Sequence, residues 1–220
     1  MKTPLKMIRQ QLSQTTLLIC LGAAVAASLT ACFPLIVGGA VMGTLIATDR
    51  RTSGAQLEDE GIDLRSANRI REGLGERVHI NINSYNRQVL LTGEVPTAQD
   101  KQTAEQIVSK VDNVRAIVNE IAVLGSSTLG QRSSDSLVTA KVKAGLVDAK
   151  DLFAGAFKVV TERGTTYMLG KVSQREADRA AEVARGVSGV QKVVRIFEIV
   201  SEDELKRLLP QPAPASKGNQ

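Results

Sequence analysis

Aromatic residues are scarce in this sequence, which has no Trp, two Tyr and four Phe among its 220 residues. Binding sites for single-stranded nucleic acid stack the bases on aromatic rings, and many sugar sites hold their ligand in the same way. The composition therefore argues against both kinds of binding.

Histidine and cysteine are almost as rare, since the chain has one His, His79, and two Cys, Cys20 and Cys32. A zinc site needs three or four ligands, and Ser-His-Asp chemistry would have to use His79. The sequence also has no glycine-rich phosphate loop, dinucleotide fingerprint or metal-ligand spacing. We therefore expect no metal site, no cofactor and no catalysed reaction.

The excess of positive charge is small. The chain has 28 Lys and Arg against 23 Asp and Glu, a formal net charge of +5. Three of the positive residues, Lys2, Lys6 and Arg9, precede the first apolar segment, and without them the net charge is +2. Because nucleic-acid binding needs a concentrated positive surface, we expect no nucleic-acid partner.

Residues 1–31 have the layout of a secretory signal peptide. The three basic residues precede an uncharged segment rich in Leu and Ala, residues 17–29. The segment leads into Leu29-Thr-Ala-Cys32, which resembles the lipobox of bacterial lipoproteins. In those proteins the Cys thiol receives a diacylglycerol, the chain is cut before the Cys, and the new amine is acylated. The resemblance places these modifications at Cys32, and Phe33 in the place of Asp implies export to the outer membrane.

Two other interpretations of the N-terminus stay open. An ordinary signal peptidase could cut among the small residues 24–27 and release a soluble protein. Alternatively, the uncharged segment 11–48 is long enough to remain as a membrane anchor, although Pro34 and three glycines disfavour a continuous helix in its second half. If Cys32 is lipidated, the apolar, Gly-rich residues 33–47 lie beside the membrane and either contact it or act as a tether. Residues 49–62 are expected to form a charged tether after them.

The remainder of the chain repeats itself. Residues 68–74 resemble 140–146, residues 91–95 resemble 168–172, and residues 104–114 resemble 180–190. Alternating and helical spacings of apolar residues predict the order helix, strand, strand, helix, strand in each copy. We therefore expect an α+β fold with two domains at 63–124 and 135–200, each with two helices and a small mixed sheet of three strands. A polar linker at 125–134 would join them, and residues 201–220 would form a disordered tail that a short helix at 201–209 could begin.

This pattern resembles two tandem BON domains, with a Gly in each return strand and a Val-Asp-Asn-Val or Val-Ser-Gly-Val step before each last strand. Ala-Thr-Asp-Arg at 47–50 and Arg-Glu-Ala-x-x-Ala-Ala at 175–181 resemble outer-membrane lipoproteins with two such domains. The resemblance implies that the second domain binds phospholipid. It also implies a lipid-anchored protein whose domains face the periplasm and support outer-membrane integrity and cell division.

The second copy is the more basic one, because residues 63–124 have no net charge and residues 132–200 have a net charge of +4. Its opening helix carries Leu137 and Lys141 at a spacing that places them on one face, with Lys143 nearby. An apolar side chain beside lysines suits a surface of anionic phospholipid. The alternatives are that Leu137 caps the domain core and that the lysines only keep the face soluble.

Gly93 and Gly170, in the two return strands, are expected to have packing roles, where a helix crosses closely or a strand bulges. His79 is expected to face solvent, because it lies opposite Val78, Ile80 and Ile82 in an alternating strand. The function that the sequence favours is therefore binding of anionic phospholipid by a lipid-anchored protein. The alternative is a periplasm-facing scaffold for partner proteins of envelope assembly or cell-wall remodelling. Envelope or division proteins are the expected protein partners.

Overall fold

A computed structural model describes residues 49–208. The predicted signal peptide, Cys32, the segment 33–47 and the tail beyond 208 lie outside the described residues. The helices and strands, in chain order, are α1 Ser53–Leu74, β1 His79–Tyr85, β2 Gln88–Val95, α2 Ala98–Ser109, β3 Ala116–Asn119, β4 Ala122–Val123, α3 Leu129–Asp148, β5 Phe157–Glu162, β6 Thr165–Val172, α4 Gln174–Arg185, β7 Lys192–Ile199 and α5 Glu202–Leu208.

The described chain contains two mixed sheets, each built from one copy of the repeat. In the first sheet the strand order is β1-β2-β3, and the short β4 also pairs with β2; in the second the order is β5-β6-β7. The first two strands of each copy are antiparallel, and the last strand runs parallel to the second. The predicted α+β fold is therefore confirmed, although the last strand of the first copy is divided into β3 and β4 around residues 120 and 121.

Two tight turns connect the antiparallel strands. Tyr85 pairs with Gln88, which leaves two residues in the first turn, and Asn86 and Arg87 both have positive φ. Glu162 pairs with Thr165, and the second turn likewise has positive φ at both of its residues, 163 and 164. This is the backbone of a type I′ turn, whose twist matches that of the flanking strands.

Helix α1 begins at Ser53, within the segment 32–62 that was expected to be lipidated Cys and tether. The side chain of Thr52 accepts a hydrogen bond from the backbone N–H of Ala55 and so caps the helix. Asp59 and Ile62 are buried within its early turns. The prediction of a tether was wrong here because a buried Asp interrupts the apolar pattern that would have indicated a helix.

Helix α3 also begins early, at Leu129, within the predicted linker 125–134. Thr128 and Gln131 form a capping box, in which the Thr side chain accepts from the Gln N–H and the Gln side chain accepts from the Thr N–H. The polar residues after 125 thus serve to start a helix, and the linker between the two copies is correspondingly short.

The two opening helices bury matching positions 76 residues apart. In α1 the buried positions include Asp59, Ile62, Ser66 and Ile70, and in α3 they are Asp135, Val138, Val142 and Leu146. The sequence comparison of 68–74 with 140–146 uses a shift of 72 residues. It was therefore wrong by about one helical turn.

Three clusters of buried side chains hold this part of the chain together. One lies between α1, α2 and the first sheet, and another between α3, α4 and the second sheet. The third contains Tyr85 and Leu90 from the first sheet and Tyr167, Leu169 and Ile196 from the second. The two sheets therefore pack against each other, and each has helices on its other face.

The last described element is α5, which occupies part of the segment predicted to be a disordered tail. Leu205 of this helix is buried, and Glu204 lies 3.0 Å from the Nζ of Lys171 in β6. Residues 202–208 are therefore helical and in contact with the second domain. Among the described helices, none has the length and apolar character needed to cross a membrane.

Candidate membrane-binding surface

Helix α3 exposes apolar side chains on the face that points away from its own core. Leu137 is 64% exposed and Val147 is 60% exposed, and the exposed Ala140 and Ala144 lie between them. These four residues recur at spacings of three and four, so they form one stripe along the helix. We call them the α3 stripe.

Lysines flank the α3 stripe on both sides. Lys141 lies one helical turn after Leu137, and Lys143 lies on the opposite edge of the stripe; both are exposed. Within residues 49–208 neither lysine has a carboxylate oxygen within 4.0 Å. Their positive charges are therefore available to an external anion.

The structure tests whether Leu137 packs into the core of the second domain. The positions that pack into the core of the second domain are Val138, Val142 and Leu146, each no more than 5% exposed. Leu137 points to solvent instead, so the expectation that it caps the core was wrong. The predicted group of Leu137, Lys141 and Lys143 does come together on one exposed surface.

The first domain lacks an equivalent surface. With the shift of 76 residues, Gly61 takes the place of Leu137, and Arg65 takes the place of Lys141. The guanidinium of Arg65 lies 2.7 Å from a carboxylate oxygen of Glu58. Arg65 of the first domain is therefore paired with a carboxylate, whereas Lys141 at the matching position of the second domain is not paired with any within residues 49–208.

The two glycines of the return strands lie against backbone, as a packing role requires. Gly93 has φ +104° and pairs with Ile80, and a Cβ at this position would overlap the carbonyl oxygen of His79. A Cβ on Gly170 would lie 2.5 Å from the carbonyl oxygen of Ala156. In both cases the close neighbour belongs to the adjoining strand or the residue before it, not to a crossing helix.

The first described residues, which lie within the predicted tether 32–62, are fixed to the second domain. Arg50 makes two hydrogen bonds of 2.7 Å to the carboxylate of Glu176 in α4, and one of 2.9 Å to the carbonyl of Lys171. Both paired side chains are no more than 4% exposed. Burial opposes ionisation of Glu176, but the bonds from Arg50 and from the backbone N–H of Ser173 keep its pKa below the usual value. The chain therefore contacts the second domain before it enters α1 of the first.

A cluster that sequence reasoning missed lies between the two sheets. His79 is half-buried, not solvent-facing, and its Nδ1 is 2.9 Å from Oε2 of Glu94 in β2. Arg163 donates to the other Glu94 oxygen at 3.2 Å, across the domain boundary. Glu162 of β5 accepts a 2.7 Å hydrogen bond from Asn81 of β1. Only the pairing of β1 with β2, in which His79 stands opposite Glu94, could have indicated part of this cluster.

The two carboxyl groups of this cluster differ in their electrostatics. Burial opposes the charge on Glu94, yet hydrogen bonds from His79, Ser127 and Arg163 keep its pKa below the usual value. Burial raises the pKa of Glu162, and the nearby charge of Glu94 raises it further, against the effect of the bond from Asn81. The negative charge of Glu94 is therefore stabilised by several hydrogen-bond donors, one of them a cation, whereas in the described part of the chain the carboxyl group of Glu162 has the hydrogen bond from Asn81 and no cation in contact.

Comparison with protein-family models gives one match in two places. Residues 63–125 and 134–201 both match the family described as BON domain. The two matches together cover more than half of the chain. They fall on the two structural copies described above.

Three curated relatives have similar sequences. Outer membrane lipoprotein DolP of Haemophilus influenzae is 34% identical over 184 residues, which cover 83% of this chain and 94% of that protein. The 21 kDa hemolysin of Actinobacillus pleuropneumoniae is 37% identical over 69% of this chain and 79% of its own length. Osmotically-inducible protein Y of Escherichia coli is 41% identical over 66 residues, about a third of each chain.

Proposed function

Because the chain belongs to the family of proteins with BON domains, we propose that its second domain binds anionic phospholipid through the α3 stripe and the lysines beside it. The likeness to DolP along 83% of the chain identifies an outer-membrane lipoprotein with two BON domains. We also propose that Cys32 carries the lipid anchor and that the domains face the periplasm.

The exposure of Leu137 beside Lys141 carries this proposal. Leu137 is 64% exposed, and it would lose contact with water on entering the acyl region of a bilayer. The lysines stay at the level of the headgroups, where anionic lipids attract them. Because residues 132–200 have a net charge of +4, the electrostatic potential around this domain also favours anionic lipid.

The expected energies describe a weak contact. Burying Leu137 contributes about 1.5–3 kcal/mol, and each well-placed lysine adds about 1 kcal/mol. A total of about 4 kcal/mol corresponds to a millimolar Kd. Acyl chains on Cys32 would hold the domain beside the bilayer and raise its effective concentration there. The second domain would thus sample lipid composition without needing high affinity of its own.

We also propose that this contact with lipid supports outer-membrane integrity and cell division. A protein that binds anionic lipid while it is anchored in the same membrane can accumulate where such lipid is concentrated. We propose no catalysed reaction, since the described site is a surface and lipid contact needs none.

A vesicle-binding experiment tests the proposal with the fragment 49–208, which contains all three hydrophobic clusters. The Leu137→Ser variant is expected to bind anionic vesicles about tenfold more weakly, because it loses the apolar contact. Lys141→Gln is expected to lose about fivefold, close to 1 kcal/mol. The measurement is co-sedimentation at several lipid concentrations, repeated with zwitterionic vesicles that should bind poorly.

Leu64→Ser is the matched control, since Leu64 of the first domain is 65% exposed and Leu137 is 64% exposed. This control should bind within twofold of the parent. Equal losses in both variants would contradict the proposal, because any exposed Leu would then contribute as much as Leu137.

A protein scaffold is the second candidate function. The observation that favours it is a pair of exposed leucines on α1, Leu57 at 71% and Leu64 at 65%. They lie seven residues apart and so share one helix face, without the lysines that would suit a membrane. Absence of binding to anionic vesicles by the parent fragment would favour this second function.

A further inference from the structure

The cluster between the sheets brings a histidine and two carboxylates within reach of one ion. One ligand atom from each of His79, Glu94 and Glu162 lies within 4.8 Å of the others. The three residues come from β1, β2 and β5, so two belong to the first domain and one to the second. Donor atoms around a tetrahedral ion lie about 3.3 Å apart, and small side-chain movements would bring these atoms to that spacing.

Glu162 lacks a positive partner in this position. It is 8% exposed, and within residues 49–208 no Lys, Arg or His nitrogen lies within 4.0 Å of its carboxylate. Its hydrogen bond from Asn81 reaches one oxygen, Oε2. A buried carboxylate without a cation is costly unless it is neutralised or binds a metal.

A cavity gives the cluster access to solvent. It has a volume of about 390 Å³, and His79, Asn81 and Glu162 contribute to its lining together with residues from α3. Water or an ion can therefore reach the side chains of His79 and Glu162 from outside. The cavity also leaves room for a water molecule as a fourth ligand.

We propose that His79, Glu94 and Glu162 bind a divalent transition-metal ion such as Zn²⁺ at the boundary between the two domains. Imidazole and carboxylate ligands suit Zn²⁺, whereas Mg²⁺ and Ca²⁺ prefer sites made of oxygen alone. The ion would supply the positive charge that Glu162 lacks. Arg163 would keep its hydrogen bond to Oε1 of Glu94. The other oxygen, Oε2, is hydrogen-bonded to His79 and Ser127 in the absence of an ion, and it would turn toward the ion when one binds.

Spacing along the sequence could not have indicated this site. The three residues stand at 79, 94 and 162, and a sequence motif for zinc brings at least two ligands within a few residues. The domain boundary supplies the third ligand. An ion held there would join the two domains and stabilise them against separation.

The single histidine of the chain makes the test direct. The full chain is purified in detergent without a polyhistidine tag, treated with a chelator, and titrated with Zn²⁺ while the imidazole NMR signals are followed. The expected result is a shift of the His79 signals that saturates at one ion per chain, with a higher midpoint of thermal unfolding. Ca²⁺ and Mg²⁺ at the same concentrations should leave the signals in place.

Variants identify the carboxylate ligands. In Glu162→Gln the affinity for Zn²⁺ should fall at least about tenfold, and this variant removes an unpaired buried charge, so it should fold. Glu60→Gln, at an exposed position of α1, should bind like the parent. Absence of a His79 shift, an equal shift with Ca²⁺, or an unchanged affinity in Glu162→Gln would overturn the proposal.

Discussion

The boundary between the two domains contains two buried carboxyl groups, which an ordinary apolar interface would lack. Glu94 is 1% exposed and accepts from His79, Ser127 and Arg163, so its charge is compensated from both domains. Glu162, on the facing strand, has a hydrogen bond from Asn81 and no cation in contact among the described residues. The pKa of Glu94 is lowered and that of Glu162 is raised. The two groups should therefore affect stability in opposite ways as the pH changes.

Glu162→Gln should stabilise the protein at pH 7 when metal has been removed by a chelator. A group whose pKa is raised by folding stabilises the fold at low pH, and this contribution is lost as the pH rises through its folded pKa. Gln keeps the acceptor oxygen for Asn81 without the buried charge. We expect a gain of about 1 kcal/mol, which is about 2–4 °C in the midpoint of thermal unfolding. The gain should shrink as the pH falls toward the ordinary pKa of Glu.

Glu94→Gln is the opposite control for this measurement. The lowered pKa of Glu94 means that its stabilising contribution is present above the ordinary pKa of Glu and is lost as the pH falls. The variant should therefore be destabilised at pH 7, by about 2–3 kcal/mol, and approach the parent in acid. Destabilisation of the same size in both variants at pH 7 would show that Glu162 is compensated after all.

At the scale of helices and strands, an Asp on each opening helix fixes the turn of the neighbouring hairpin. Asp135 accepts hydrogen bonds from the backbone N–H groups of Arg163 and Gly164 at 2.8 and 2.9 Å. Asp59 does the same for Asn86 and Arg87 at 2.7 Å. Both turns contain a residue other than Gly at positive φ, which costs free energy. The carboxylates therefore stabilise a backbone that the turn sequence alone favours weakly.

Asp135→Ala should destabilise the protein by about 2–4 kcal/mol, since two hydrogen bonds to a charged acceptor are lost. Asp59→Ala should cost more, because Asp59 also accepts from the hydroxyl of Ser84 and from Arg51. Urea unfolding gives both values, and faster amide exchange at residues 163 and 164 should accompany the first variant. A loss below about 0.5 kcal/mol in Asp135→Ala would mean that the turn forms without its acceptor.

These aspartates also explain which elements the sequence could predict. Alternating apolar residues indicated the strands, and their order with the helices indicated the α+β fold. The start of α1 was not predictable in the same way, because its buried face carries Asp59 and Ser66 where an apolar side chain would be expected. The same two polar residues hid the shift of 76 residues between the copies. Asp59 is buried together with its hydrogen bonds to Arg51, Ser84, Asn86 and Arg87. A pattern of apolar residues does not reveal such a buried polar side chain.

At the scale of the whole molecule, sheet packing and the docking of Arg50 determine how the parts are arranged. Leu90, Tyr167 and Leu169 bury the outer faces of the two sheets against each other. In the sequence these residues belong to continuous apolar strands, and nothing in them indicates that the partner face is another domain. Arg50 ties the start of the described chain to α4. If Cys32 is acylated, the intervening residues span at most about 60 Å, so the second domain stays close to the membrane.

The sequence predicted the α3 surface better than it predicted the boundary between the domains. Leu137, Lys141 and Lys143 lie on one helix, and helical spacing is enough to place them together. The cluster of His79, Glu94 and Glu162 depends on three strands and two domains, which sequence spacing cannot bring together. Local periodicity therefore indicated the candidate membrane surface, and tertiary packing alone produced the candidate metal site.

Lipid binding by α3 is tested most directly by an NMR titration of the fragment 49–208 with anionic and then with zwitterionic micelles. The fragment lacks Cys32, so any contact must come from the domains themselves. Backbone shifts centred on Leu137, Lys141 and Val147 are expected with the anionic micelles alone. Shifts centred on Leu57 and Leu64, equal shifts with both kinds of micelle, or no shift with either would contradict the assignment of lipid binding to α3.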